Sequence, residues 1–546
     1  MGKKKKILGA AIGNCIHVVG INKFLNLAEK KGYETVFLGS KIPLKELMKE
    51  IKNILPDIVA VSYRLTPETA EKLFFDLSEE IKENKLEDIE FIFGGTPPVA
   101  KIAKKTGIFK TVFDGTESID EIENYLDKKP IKKEENYPQN LIDRINQQYP
   151  YPLIRHHFGL PSLDDTINGA KKLAESKTID IISIGPDQNA QEFFFRQNEM
   201  DKKQEGAGGV PLRNKNDLIK IFEASRCGNY PLVRCYSGTN DIIKWAEMLK
   251  VTINICFGAV PLFWYSQLDN RSNRPLLDAI IENQKAIRWY AENNIPVEVN
   301  DSHQWSLRES GDVIEVATAY IAAYNAKAHS VKNYIQQYMF NTPPGISPEM
   351  DLAKMLAKKE MIGRLQDNDF KIFNMVRTGL AFMEPDLDVA KGQMASSINT
   401  AMHLKPHIVH VVGYCEGDYA ATPVEIIESC KITHGIIKHT LLGVSDVSNN
   451  LKIQERKKEI IKEVEALINA IKSISIDNKK DVLTDPEILT KAVTTGLLDA
   501  AHLKGNKCAK GKINTKIISG ACYSVDEYEN ILKEKERIEK IISNLN

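Results

Sequence analysis

From Lys6 to about Leu126 the chain alternates short apolar runs with longer stretches in which apolar positions return every three or four residues. Residues 7–12, 35–38, 58–62, 90–93 and 111–113 have strand length and little polarity. Residues 20–31, 44–54, 67–83 and 98–106 carry the amphipathic spacing of helices. Strands apolar on both sides, separated by helices, predict a parallel sheet covered on both faces.

The pattern breaks at 128–150, where Lys, Glu, Asn, Gln, Tyr and Pro dominate; this stretch is expected to be a linker, with a short helix over 141–147. Apolar runs then resume at 179–184, 232–235, 252–256, 297–299, 331–338, 371–376 and 408–412, with helical stretches between them. These are seven candidate strands for an eight-stranded barrel, and 517–520 is either the last strand or part of a tail. The heptad-like stretch 453–471 reads as an amphipathic surface helix. The expected organisation is an α/β domain over 1–127, a linker over 128–150, a barrel over 151–485 and a C-terminal segment over 486–546 packing on the barrel.

The segments just beyond these runs add chemistry. Pro186-Asp187-Gln188-Asn189, Ser237-Gly238-Thr239-Asn240, Asp301-Ser302-His303-Gln304 and Gly413-Tyr414-Cys415-Glu416 are polar or glycine-rich. In a barrel such segments converge at the carboxyl ends of the strands, where active sites lie. His303, Tyr338 and Glu416 are therefore candidates for proton transfer or hydrogen bonding to a reacting molecule.

At 546 residues the chain exceeds a single core, since a barrel alone takes about 250. Basic and acidic residues balance at 73 each, so no net field recruits a nucleic acid or an anionic membrane as partner; a small-molecule substrate is expected, and a homodimer stays open. No apolar run approaches the roughly 18 residues of a membrane span and no secretory leader is evident, so a cytoplasmic enzyme is expected. Eight cysteines without a C-x-x-C pair fit reduced thiols.

Asn14-Cys15-Ile16-His17-Val18-Val19-Gly20 comes directly after the first strand and opens a helix. Here the chain resembles the cobalamin-binding domain of the glutamate mutase family, whose D-x-H-x-x-G motif occupies this junction, and the resemblance extends over the whole α/β domain. It implies a flavodoxin-like, Rossmann-type fold in which His17 coordinates cobalt. It further implies that Gly20, Gly94 and Gly95 admit the corrin and its nucleotide tail, that Ser62 hydrogen-bonds the displaced base, and that Gly115 and Thr116 close the same tunnel. Cys15 stands where the family has the aspartate that orients the histidine, and a thiol is a weaker partner for imidazole. Arg64 replaces a leucine of the family's S-x-L motif.

More distantly, the second region is similar to the catalytic subunit of that family, through Gly238-Thr239-Asn240-Asp241, Val331-Lys332-Asn333, Glu416, and Lys491-Ala492 with Thr495-Gly496. The resemblance implies a (β/α)₈ TIM barrel, adenosylcobalamin as the cobalt cofactor, and a radical rearrangement of the carbon skeleton of a small amino or carboxylic acid. Lys491 then holds the adenosine ribose and Arg196 grips a substrate carboxylate. Tyr236 and Asp301 fall where the family carries further arginines, so the expected substrate is smaller or less acidic than glutamate, with a cation facing Asp301. Two other readings stay open: a corrinoid methyltransferase or methyl carrier, and a non-catalytic cobalamin-binding protein.

Overall fold

In a computed structural model, which describes residues 4–117, 119–128, 137–236, 238–475 and 481–543, the chain divides into two units, Met1–Asn136 and Tyr137–Asn546. The first is built on five parallel strands, β1 (Lys6–Ala11), β2 (Glu34–Phe37), β3 (Ile58–Tyr63), β4 (Glu90–Gly95) and β5 (Thr111–Phe113). Their order in the sheet is β2-β1-β3-β4-β5. The chain thus winds one way from β1 and the other way from β3, and the reversal leaves a crevice at the carboxyl ends of those two strands, where open α/β sheets take their ligands.

Local sequence explains these elements. β3 is buried at every position, which is why its run is apolar without alternation. Helix Pro67–Glu83 begins at Thr66, whose hydroxyl accepts from the Thr69 amide, and proline fills its first position, where no amide bond is lost. Helix Val19–Lys30 lies close over β1 because Gly9 has no side chain; a Cβ there would stand 2.6 Å from Leu25 Cδ1. On the other face Phe74, Phe93 and Phe109 meet with centroids 5.0 to 5.4 Å apart. Each such ring, fully buried, contributes about 1.5–3 kcal/mol.

The second unit contains eight parallel strands: β6 (Leu153–Phe158), β7 (Ile181–Ile184), β8 (Leu232–Cys235), β9 (Gly258–Val260), β10 (Val297–Val299), β11 (Asn333–Phe340), β12 (Lys371–Thr378) and β13 (Ile408–Val411). They are arranged in the order β8-β7-β6-β13-β12-β11-β10-β9, a nearly closed barrel. At the seam between β8 and β9 the Cys256 amide donates to Val233 O at 3.0 Å.

Three expectations are revised. The missing strand is β6, the first of the barrel, whose Leu-Ile-Arg-His-His-Phe is half polar and does not look like a buried strand. Residues 252–256 are not a strand: helix Ile242–Ile253 runs into them and β9 begins at Gly258. Residues 517–520 lie at an antiparallel hairpin of β14 (Asn514–Ile518) and β15 (Ala521–Val525), outside the barrel.

The polar stretch expected to be a linker holds a structural part. Its residues 129–136 lie outside the described ones, but helix Leu141–Gln148 closes the amino end of the barrel. Leu141 and Ile145 pack with Leu153, Ile181, Leu232, Phe257, Ile335, Met375 and Ile408. Arg144 is fully buried there, donating to the carbonyls of Pro138, Asn229 and Tyr230. Helix Leu451–Ser473 is amphipathic, and its apolar face, including Ile460, Val464, Leu467 and Ile471, joins the large core formed with the barrel helices. Leu489, Val493, Leu497 and Leu498 of the C-terminal segment belong to the same core.

Candidate functional site

At the carboxyl edge of the first sheet, the residues after β1 turn out toward solvent. His17 is exposed; its Nδ1 lies 3.8 Å from Sγ of Cys15, itself fully buried in the core. Ile16 and Val19 beside it are 57% and 63% exposed, an apolar surround for a ring that water would otherwise cover. On the neighbouring strand Ser62 is buried, and its hydroxyl has no hydrogen-bond partner among the described residues. A buried hydroxyl without a partner is costly, and its presence needs a reason.

Glycines supply the open space. A Cβ on Gly20 or Gly94 would meet nothing within 4 Å, so those positions border a free volume. Gly95 is the opposite case: a Cβ there would press on Tyr63 O at 2.8 Å and on the Phe93 ring at 2.6 Å. Gly115, at φ +89°, turns the chain in a region that L side chains rarely adopt. Thr116 gives its hydroxyl proton to Asp114 Oδ1 at 2.6 Å and is thereby satisfied within its own loop. An exposed imidazole, a buried hydroxyl with unused capacity and a glycine-lined opening suit a flat corrin with a buried tail, and a neutral imidazole nitrogen suits its cobalt.

In the second unit, alternate positions of alternate strands build layers inside the barrel, as parallel barrels do. β6, β8, β10 and β12 place Arg155, Arg234, Glu298 and Arg377 around the floor of a cavity of about 510 Å³ at the carboxyl end. Two residues further along, β6 and β8 add His157 and Tyr236 to its wall. Glu298 Oε2 stands 3.7 Å from Arg155 Nη1 and 3.6 Å from Arg234 Nη1, with all three side chains buried. Arg155 is largely satisfied: Nε donates to Ser183 Oγ at 2.7 Å, and Nη1 lies 3.1 Å from Met375 Sδ. By contrast, among the described residues Arg234 Nε and Nη2 and Arg377 Nε are buried without a partner.

This positive floor sets the state of its neighbours. Burial, then the charge of Arg234, pulls Arg155 down to about 9. Burial, then Arg155, holds His157 well below the ordinary imidazole range. His303 is lowered in the same direction by burial and by Arg377, and its Nδ1 lies 2.9 Å from Gln337 Nε2. Both imidazoles are neutral near pH 7 and act as hydrogen-bonding groups.

The residues expected from the sequence are distributed unevenly. His303 and Tyr236 line the cavity. Asp301 does not: it is fully buried, accepting from the amides of Leu262 and Phe263 at 3.1 and 3.0 Å and from Trp305 Nε1 at 3.0 Å, which ties the segment after β9 to the turn after β10. Tyr338 is buried, its hydroxyl 3.3 Å from Asn374 Oδ1. Glu416 caps the Gly413 amide at 2.7 Å and faces His156 Nε2 at 3.6 Å. Arg196 lines an adjoining cavity of about 470 Å³ and pairs with Glu199 at 3.6 Å and Asp241 at 3.9 Å. Lys491 is exposed on helix Pro486–Thr495, its Nζ 3.4 Å from Ile474 O. Ser237 lies outside the described residues.

Arg155, His157 and Glu298 do not stand out in the sequence as site residues. Their signal is charge inside strand-length runs, an arginine and two histidines in β6 and a glutamate between Val297 and Val299 in β10. Among the described residues no helix is long and apolar enough to cross a membrane.

Comparison with known proteins bears on the first unit. Residues 5–123 match the B12 binding domain family. Two Methanosarcina acetivorans proteins, trimethylamine corrinoid proteins 1 and 2, are 26% and 29% identical over 102 residues, which is 18% of this chain. The chain spans 46% of the length of these relatives. A solved structure of a novel cobalamin-binding protein from Desulfitobacterium hafniense shares 27% identity over 22% of this chain and 57% of that one, with a TM-score of 0.20. The unit that carries His17, Ser62 and the glycine-lined opening is a cobalamin-binding domain.

Proposed function

We propose that this protein is an adenosylcobalamin-dependent carbon-skeleton isomerase that acts on a small amino or carboxylic acid held in the barrel. The observation that carries the reading is one chain with two complementary sites. A cobalamin-binding domain presents an exposed imidazole, and a barrel keeps ionisable groups around a cavity at the carboxyl ends of its strands. Bound adenosylcobalamin supplies radical chemistry through its cobalt–carbon bond, a reaction that belongs to the cofactor.

The chain's own residues then have defined tasks. His17 would offer a ring nitrogen to cobalt, Ser62 would give its unused hydroxyl to the nucleotide tail, and Gly94, where a Cβ would meet nothing within 4 Å, would leave room for that tail. In the barrel, Arg234 and Arg377 bind acid groups. Tyr236, His157 and His303 hydrogen-bond the rest of the substrate, and the walls keep water away from a reactive centre.

The test mixes full-length protein anaerobically with adenosylcobalamin and candidate acids, monitoring electron paramagnetic resonance and product formation by NMR. A signal that requires substrate, with an isomerised product, supports the reading; absence of both across amino, hydroxy and plain carboxylic acids ends it. The similarity to trimethylamine corrinoid proteins favours a second reading, a corrinoid methyl carrier. Methyl transfer to a thiol from the methylcobalamin-loaded protein, without isomerisation, would establish that one instead.

A further inference from the structure

Glu298 offsets one guanidinium of the barrel floor and leaves two. Around the eight-stranded ring β8 and β12 stand opposite each other, four strands apart by either route, so Arg234 and Arg377 face across the barrel with Arg155 on the strand midway between. Arg155 has partners for its donors, whereas Arg234 and Arg377 each keep buried N–H groups with none among the described residues. Including the rim, the cavity is lined by four arginines, among them Arg271, against Glu192 and Glu298, so the excess of two positive charges persists. His157 and His303, both neutral, do not alter it.

We infer that the substrate is a small dicarboxylic acid without an amino group, one carboxylate on Arg234 and the other on Arg377. Guanidinium donors match carboxylate oxygens, and two arginines on opposite strands ask for two separated acid groups, not a single compact phosphate. An ammonium has no good place on this floor. Among the described residues its one buried carboxylate, Glu298, has an Oε2 without a hydrogen-bond partner, but that oxygen stands 3.6 and 3.7 Å from two guanidinium nitrogens, which would repel a third cation. The inference deepens the proposed function and rests on its reading of the barrel cavity as the substrate site.

Calorimetric titration of the full chain without cobalamin tests it, using succinate, glutarate and adipate, then L-glutamate, the monoamide of glutarate and inorganic phosphate. One of the plain diacids should bind at least about tenfold more tightly than the monoamide and than L-glutamate, because each loses or opposes one charge-assisted contact. Arg234→Gln and Arg377→Gln should each weaken that diacid about tenfold while leaving the monoamide less affected, and Glu298→Gln should tighten it. Thermal unfolding of each variant separates lost folding from lost contacts, and the wild-type ligand series stands without any variant.

L-Glutamate binding as tightly as the best diacid, phosphate binding more tightly than all of them, or no acid binding at all would overturn the inference. A parallel titration with hydroxocobalamin, read by its absorbance spectrum, keeps the two ideas apart. Cobalamin binding without diacid binding sinks only the substrate assignment; diacid binding without cobalamin binding sinks the isomerase.

Discussion

The hydroxyl of Tyr236 lies 2.8 Å from Nε2 of His157, and the two rings stack 11° from parallel with centroids 4.6 Å apart. They come from β8 and β6, one layer above the arginine floor. Arg155 Nη2, which can only donate, stands 3.4 Å from the same Nε2, so this nitrogen of the neutral ring accepts and Tyr236 donates. In ¹³C-histidine NMR, His157 should titrate well below the ordinary histidine midpoint, because burial and then Arg155 disfavour its charged form. A midpoint between about 6 and 7 would show that the floor does not impose this polarity.

Ser62→Ala separates apo stability from cofactor binding. In the protein alone the hydroxyl is buried and unpartnered, so removing it should cost nothing and stabilise by up to about 1 kcal/mol, read from the urea midpoint. With cobalamin present the same change should weaken binding several-fold. A clear loss of apo stability would mean that the hydroxyl already has a partner.

His17→Ala should leave folding within about 0.5 kcal/mol of the wild type, because the ring is exposed and its side chain touches little beyond Cys15. The absorbance spectrum of bound hydroxocobalamin should lose its histidine-ligated form. An unchanged ligated spectrum in the variant would assign cobalt to another residue.

Asp301 carries a pH dependence with an unusual sign. Burial raises its carboxyl to about 7, against the three N–H donors that favour the anion. Between the unfolded value near 4 and the folded value, the folded protein holds a proton that the unfolded chain has released, so this residue's contribution to stability falls as pH rises. Wild type should lose on the order of 3 kcal/mol relative to Asp301→Asn between about pH 4 and pH 7. Melting temperatures across that range check it, and a difference that is flat or grows with pH would refute the raised carboxyl.

Much of the first unit was legible because its physics is local. Strands such as Ile58–Tyr63, buried on both faces, must be apolar throughout, and the helices between them bury one stripe each. The same locality makes His17 and Gly94 readable as strand-end residues, since the turn after a strand is written in consecutive residues. β6 was missed for the converse reason: Arg155 and His157 face a polar interior, so a central barrel strand lacks the apolar run by which strands are recognised. Helix Leu141–Gln148 escaped full weight because a plug needs only one apolar face.

By itself, the amino-acid sequence determined two α/β units and cobalamin binding by the first, because periodicity and strand-end motifs depend on neighbours along the chain. Only the tertiary structure decided what lies inside the barrel. Closing eight strands brings residues 155, 234, 298 and 377 onto one floor and leaves 301 to pin a loop, and that charge balance exists only where distant positions share a buried volume.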